Sequence, residues 1–276
     1  MNTLTYEVDG RVARIVLDRP ERGNGITLDT PRELAECVEQ ANLDPTVHVI
    51  ALSGKGKGFC GGYDLREFAE RQIANHDPSE TWDPVLDWQF MSRNLRGFMS
   101  LFHSDKPTLC KVHGFCVAGG TDMALCSDLL LIAGDARIGY PPARVWGVPT
   151  SMLWAHRIGA ERAKRLLFTG DLLSGSQAAD WGLAVESHPP EELDQRFEEL
   201  VQRIALTPVN QLVMHKLAVN QAVKAQALDA TQTLSVFFDG IARHTPEGYA
   251  FQRKAMEEGF KEAVRGRDEP YGDAKG

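Results

Sequence analysis

Two glycine runs that each end in an acid constrain this chain more than any other feature. The first is Lys55 to Leu65 (KGKGFCGGYDL) and the second is His113 to Asp122 (HGFCVAGGTD). Each opens directly after a short apolar strand pattern, Val49 to Ser53 and Thr108 to Val112. Glycine lets the backbone turn sharply and aim its N–H groups outward. Two such turns brought together make a two-donor pocket for a negative oxygen, a device that stabilises an oxyanion. One turn alone constrains little; the ordered pair constrains both fold and chemistry.

The flanking patterns place these turns in a layered α/β protein. Thr5 to Val8, Asp9-Gly10 and Val12 to Leu17 read as a hairpin with a tight Asp-Gly turn. Asp29 to Ala41 has helical apolar spacing, Val47 to Ser53 is strand-like, and Leu65 to Gln72 starts a helix. Asn75 to Pro84 is polar and predicts a mobile loop, followed by an amphipathic helix over Val85 to Phe102. Thr108 to Val112 and Leu129 to Ala133 predict strands around a short helix at Gly119 to Cys126. From Ser151 onward the pattern is helical, over Ala163–Phe168, Ser176–Trp181, Leu193–Ala205, Val209–Val223, Leu228–Ala242 and Gly248–Val264. The apolar triplet Leu183, Ala184 and Val185 predicts a brief strand. Strands alternating with helices, then a helical tail, mean an α/β core with an α appendage.

Composition removes several function classes. A formal charge of −8 argues against general nucleic-acid binding, which uses a basic face. The five cysteines (Cys37, Cys60, Cys110, Cys116, Cys126) show no C-x-x-C pair, so neither a disulfide framework nor a zinc site is expected, and no metal constellation stands out. The start, Met1-Asn-Thr-Leu, runs straight into strand residues without a basic, apolar leader, and no apolar run is long enough for a bilayer. The expectation is a cytoplasmic protein of a reducing compartment, with no membrane partner.

Four ordered blocks carry a resemblance. Arg19 to Ile26 (RPERGNGI) is similar to an R-P-x-x-x-N-A-L/I segment, and Phe59 to Asp64 (FCGGYD) to F-x-A-G-x-D. Gly114 to Asp128 is similar to G-x-x-x-G-G-G-x-x-L-A-x-x-x-D, and Phe168 through Leu183 to a T-G…A…A…G-L run. Across roughly Tyr6 to Val264 the chain resembles the crotonase (enoyl-CoA hydratase/isomerase) superfamily. The resemblance implies a crotonase-type ββα spiral core over 1–205 and a helical C-terminal trimerisation region over 206–276. It implies an acyl-CoA thioester as ligand, coenzyme A entering only as part of the substrate, no separate cofactor, and a homotrimer or dimer of trimers. Carried over residue by residue, the oxyanion donors are the backbone N–H groups of Tyr63 and Gly119. The tyrosine side chain is no obstacle, because only its amide is used. The polyanionic CoA nucleotide is expected near Arg22, Gly62, Asp64 and Lys57, with Lys55 and Arg66 close by. Asp64 reads more readily as a cap on the helix from Leu65, and Asp128 as structural.

The pattern breaks at the acids. Hydratases of this family use two glutamates that hold a water and relay its protons. Here the first position is Asp122, one methylene shorter, so its carboxylate is expected to sit back from such a water. The second is Pro142, which cannot transfer a proton, and Ile138 to Trp146 contains no acid. The third acid of some isomerases falls at Thr150. General acid–base help is worth about 10²–10⁴ in rate, so ordinary hydration is expected to suffer. Three readings remain: a lyase, hydrolase or isomerase using Asp122 alone with Tyr140, Arg144 or a water; a weak hydratase using Asp122; or an acyl-CoA-binding protein without turnover.

Around these positions, Tyr140 is either a catalytic phenol or an aromatic wall. Arg144 is either a clamp for a substrate carboxylate or, the favoured reading, a structural ion pair. His113 reads as a buried, hydrogen-bonded imidazole more readily than as a base. Trp82, Trp88, Phe90, Met91 and Phe98 are candidates for an apolar acyl pocket or for plain helix packing. A Clp-type serine protease on the same spiral is disfavoured, because neither glycine turn carries a serine. A dinucleotide site is disfavoured for want of G-x-G-x-x-G spacing.

Overall fold

Gly10 and Arg11 form the loop between β1 (Leu4–Asp9) and β2 (Val12–Leu17), one residue on from the Asp9-Gly10 turn that the sequence suggests, because Asp9 still pairs with Val12; Gly10 supplies a positive φ of 58°. A computed structural model describes residues 1–70 and 81–272 of the chain. Beside β2 lie, all in parallel, β3 (Val49–Gly54), β4 (Thr108–Val112), β6 (Leu129–Ala133) and β9 (Glu186–His188), giving the order β1-β2-β3-β4-β6-β9. A second sheet of three short strands runs β5 (Phe115–Val117), β7 (Arg137–Gly139) and β8 (Leu172–Ser174). The chain passes from one sheet to the other at β4–β5 and again at β6–β7.

Parallel neighbours need crossovers, and helices supply them. They are α1 (Thr30–Leu43), α2 (Leu65–Glu70), α3 (Pro84–His103), α4 (Gly119–Leu125), α5 (Leu153–Thr169), α6 (Gly175–Trp181) and α7 (Pro190–Ala205). Covered on both faces, β3 and β4 lose the polar–apolar alternation and read as continuous apolar runs: Val49, Ile50, Leu52, Leu109, Cys110 and Val112 are fully buried. Four further helices end the described chain: α8 (Val209–Lys224), α9 (Leu228–Arg243), α10 (Pro246–Glu258) and α11 (Phe260–Asp268). Among the described residues, no helix is long and apolar enough to cross a membrane.

The α/β class and the helical tail therefore match the sequence reading, while several elements differ. The apolar triplet 183–185 is not the strand. Gly182, at φ 81°, ends α6; Leu183 and Ala184 bury themselves against that helix end, and pairing with β6 starts at Glu186. The predicted helix over Gly248–Val264 is two helices, broken at Gly259 with φ 90°. α5 starts ten residues earlier than expected, because the extended conformation of Gly159 (φ 77°, ψ 162°) interrupts its periodicity. The loop expected at Asn75 to Pro84 lies outside the described residues up to position 80, and Pro84 opens α3, where the Asp83 side chain accepts from the Val85 and Leu86 amides.

Candidate active site

The first glycine turn is stapled from a distance by one buried side chain. Asn24, held at φ 52°, donates from Nδ2 to the carbonyls of Lys55, Gly58 and Phe59 at 2.9–3.0 Å, while its Oδ1 accepts the Arg19 amide at 2.9 Å. Sequence reasoning used Asn24 only as part of a matching block; its positive φ and amide side chain are the signals that point to this role. The turn then runs alongside β5. The Phe59 amide donates to Phe115 O at 2.9 Å and the Val117 amide to Cys60 O at 3.0 Å, so Cys60 and Cys116 face each other. Phe59, Cys60 and Cys116 are fully buried beneath the turn.

The second turn fits against the first so closely that side chains are excluded. A Cβ on Gly114, whose φ is 59°, would fall 1.9 Å from Lys57 O. Ala118 adopts φ 53° and ψ −130°, a conformation alanine rarely holds, and Gly119 begins α4 immediately after it. Such strain persists only where packing enforces it, and here it sets the direction in which the Gly119 N–H leaves the chain. A Cβ on Gly62 would lie 3.5 Å from the Gly119 nitrogen, and one on Gly119 would lie 2.8 Å from the Tyr63 ring. The Ile26 amide donates to Gly62 O at 2.8 Å and the Asp64 amide to Ile26 O at 2.9 Å. Strand alternation therefore turns the Tyr63 N–H to the side away from Ile26. Two main-chain donors thus sit on adjoining turns, one of them at a helix N-terminus, where the helix dipole also favours negative charge.

Asp122 lies in the first turn of α4 and is 1% exposed. Burial pushes its carboxyl up to about 7; the Ser151 amide, donating to Oδ1 at 2.9 Å, pulls the other way, and the nearby Asp239 charge adds to the rise. The short side chain is thus anchored to the 148–151 segment, and Thr150 is buried beside it. Tyr140 is buried in the same neighbourhood. Desolvation and the charges of Asp122 and Asp239 drive its phenol well above the usual range. Pro142 stands in the short helical turn Pro141–Arg144. A Cβ on Gly147 would meet Pro142 Cβ at 2.9 Å and the Tyr140 hydroxyl at 3.4 Å, so the three are neighbours.

Two candidate side chains are committed elsewhere. Arg144 donates to Asp268 at 2.9 Å and to Thr169 O at 2.8 Å, and its guanidinium lies 4.1 Å from the Tyr271 ring centroid. With its side chain 1% exposed, it is the structural ion pair favoured from sequence, not a clamp for substrate. His113 is half-buried rather than buried, and its Nε2 sits 2.9 Å from Gly56 O. That places it as a brace for the first turn.

At the expected nucleotide end, Asp64 gathers cations. Arg22 reaches it at 2.8 Å and Arg19 at 3.1 Å. Burial would raise the Asp64 carboxyl, but Arg22, then the Glu67 amide and Arg19, outweigh it and hold it below the usual carboxylate range. Its contact to the Glu67 amide is a long 3.5 Å, so ion pairing describes Asp64 better than helix capping does. Lys57 and Arg66 are exposed, and Lys55 pairs with Asp18 at 2.6 Å. Of the bulky set, Phe98 and Met91 belong to the core, Trp88 and Phe90 pack at its edge, and Trp82 stacks on His244 with ring centroids 4.2 Å apart.

One group was missed from sequence. Asp87 on α3 and Asp239 and Arg243 on α9 form a triad, Asp239 buried and the other two half-buried, with Arg243 donating to Asp87 at 2.5 Å and to Asp239 at 2.7 Å. Burial alone would lower the Arg243 pKa, but Asp239 and Asp87 raise it, so it stays charged beside Tyr63 and Tyr140. Its members are 152 residues apart in the chain, Asp87 to Asp239, which no local pattern can signal. Among the described residues no cluster of metal-ligating side chains occurs, and burial pushes all five thiols above their ordinary range.

Against known proteins, residues 7–249 match the family model described as enoyl-CoA hydratase/isomerase. The fold superposes on the crystal structure of an enoyl-CoA hydratase from Mycobacterium smegmatis with a TM-score of 0.95 at 60% identity, covering 99% of this chain and 96% of that one. Among curated relatives, the 1,2-epoxyphenylacetyl-CoA isomerase of Escherichia coli K12 is 28% identical over 245 residues, covering 88% of this chain and 90% of the relative. A hydroxycinnamoyl-CoA hydratase-lyase of Pseudomonas fluorescens is 28% identical, covering 73% of this chain and 72% of the relative.

Proposed function

Since the chain belongs to the enoyl-CoA hydratase/isomerase family, within the crotonase superfamily, we propose that it is an acyl-CoA enzyme working through a thioester enolate with one acid–base residue. The Tyr63 and Gly119 amides grip the thioester oxygen. Loss of one such donor costs on the order of 3 kcal/mol of barrier in other enzymes, so two preorganised donors stabilise an enolate that water alone would not. Asp122 carries the proton. A carboxyl near pH 7 is half-ionised at neutrality and serves as acid and base alike. Tyr140 and Pro142 line the acyl side. Arg22, Gly62, Asp64 and Lys57 stand at the nucleotide end, where Arg22 and Lys57 face phosphate and Asp64 holds Arg22 in place.

The observation that carries the reading is the interlock of the two turns: a Cβ on Gly62, itself at φ 94°, would fall 2.8 Å from the Cβ of Ala118, the residue before Gly119. With Pro142 in place of a second acid, one carboxyl that removes a proton and returns it fits best. That favours isomerase-type proton transfer over hydration by a water held between two glutamates. The relatives named above act on epoxyphenylacetyl-CoA and hydroxycinnamoyl-CoA, so aromatic acyl-CoAs belong in the test. The apolar residues Phe237, Phe238 and Ile241 exposed on α9 support assembly between copies, which we read as a homotrimer in the cytoplasm.

The test is exchange of the α-proton of a panel of acyl-CoAs in deuterated water, followed by NMR, with binding measured by calorimetry. The expected result is exchange, and turnover for at least one member. Binding without exchange or turnover across the panel would leave an acyl-CoA-binding protein instead.

A further inference from the structure

We propose that α9 is the positioning element for Asp122, acting through the 148–151 segment, with Asp239 and Gln232 as the positioning residues. This rests on the reading of Asp122 as the proton carrier. The geometry is a strut held from both sides. On one side, Asp122 Oδ1 on α4 accepts the Ser151 amide at 2.9 Å. On the other, Asp239 Oδ1 accepts the Val148 amide at 3.0 Å, and Gln232 Nε2 donates to Ser151 O at 3.0 Å. Asp239 and Gln232 lie seven residues apart, two helical turns, on the buried face of α9. The same four-residue segment therefore joins a catalytic carboxyl to a second carboxyl.

Both carboxyls are almost wholly buried, at 1% and 4% exposure. Asp239 does not stand alone, because Arg243 binds it at 2.7 Å and is itself shared with Asp87. The groups facing Asp122 are Thr150 and Ser151 from the strut, Tyr63 from the first turn, Tyr140, Cys116 from β5, Cys126 from its own helix, and Asp239 from α9. Cys116, Cys126, Tyr63 and Tyr140 are neutral near pH 7, since burial raises each, and Arg243 acts mainly on Asp239. Burial raises the Asp239 carboxyl too, against the pull of Arg243 and the Val148 amide, so Asp239 is the acidic neighbour whose state Asp122 feels, and the Ser151 amide is the donor that opposes it. The two residues of α9 pull in opposite directions. Asp239 favours the protonated form of Asp122 by repulsion, whereas Gln232, by fixing Ser151, favours the ionised form through the amide hydrogen bond.

The experiment is carboxyl ¹³C and amide ¹⁵N NMR titration of the full-length protein without ligand, which does not depend on turnover. Asp239→Asn keeps an acceptor for the Val148 amide but removes the charge, and should lower the Asp122 midpoint by at least half a pH unit. Gln232→Leu releases Ser151 and should raise it. In the unaltered protein the Val148 and Ser151 amides should share the Asp122 inflection, a readout that needs no variant to fold. Unmoved Asp122 midpoints in folded variants, or a Val148 amide blind to the Asp122 titration, would overturn the proposal. An absence of α-proton exchange with shifted midpoints would instead remove the proposed function and leave the strut intact.

Discussion

The two halves of the site are built from different materials. The half proposed to grip the carbonyl consists of main-chain amides on turns where close neighbours leave no room for a Cβ: Lys57 O at Gly114, Ala118 Cβ at Gly62 and the Tyr63 ring at Gly119. The acid half consists of side chains, Asp122 on α4, Tyr140 before the Pro141–Arg144 turn, and Asp239 with Arg243 on α9; Asp122 accepts from the Ser151 amide and Asp239 from Arg243. A backbone device tolerates substitution of its own residue, as Tyr63 illustrates, but not of the glycines around it. A side-chain device does the reverse. The family pattern is accordingly legible in the first half, and under the proposed function the choice of reaction falls to the second.

The contrast can be broken at four points. Asp122→Asn should reduce α-proton exchange about 10²–10⁴-fold with CoA affinity held within about twofold, measured by NMR and calorimetry. Its stability effect has a definite sign. The folded carboxyl titrates at about 7, above its unfolded value, so the acid's stability contribution is present at low pH and is lost as pH rises between the two. The variant should therefore gain thermal stability relative to the parent at pH 8 but not at pH 4. Gly114→Ala should be next, losing about 4 kcal/mol in denaturant unfolding, since its methyl meets Lys57 O and its φ is left-handed. Pro142→Glu should raise crotonyl-CoA hydration about tenfold if the absent acid is what limits it. No gain with the new carboxylate seen in the site would mean that the strut geometry, rather than residue 142, decides the reaction. Tyr63→Phe should be smallest, under about threefold in exchange rate, because the amide stays; a loss as large as that of Asp122→Asn would move Tyr63 into the acid half.

The same division explains what the sequence made readable. Glycines, the hairpin turn and the continuous runs of β3 and β4 leave local signatures, so both turns and the main sheet apart from β9 could be placed. The second sheet could not, because β5, β7 and β8 are three-residue strands interleaved with the turns, too short to show any period. Asp64 was read as a cap because the helix begins next to it, while Arg19 and Arg22, some forty residues upstream, claim its oxygens. The Asp87–Arg243–Asp239 triad and the tethering of Asp122 to Ser151 are tertiary throughout. Composition indicates that such charges exist but not that they meet.

Arg144 gives the terminal helices a reach beyond their own packing. Its contacts to Asp268 and Tyr271, together with Trp146 lying against Phe251 and Phe260, fasten the segment after Pro142 to the last described turns of the chain. Substitutions in α10 and α11 are therefore expected to shift the segment that carries Pro142 and Trp146, and with it the surroundings of Tyr140.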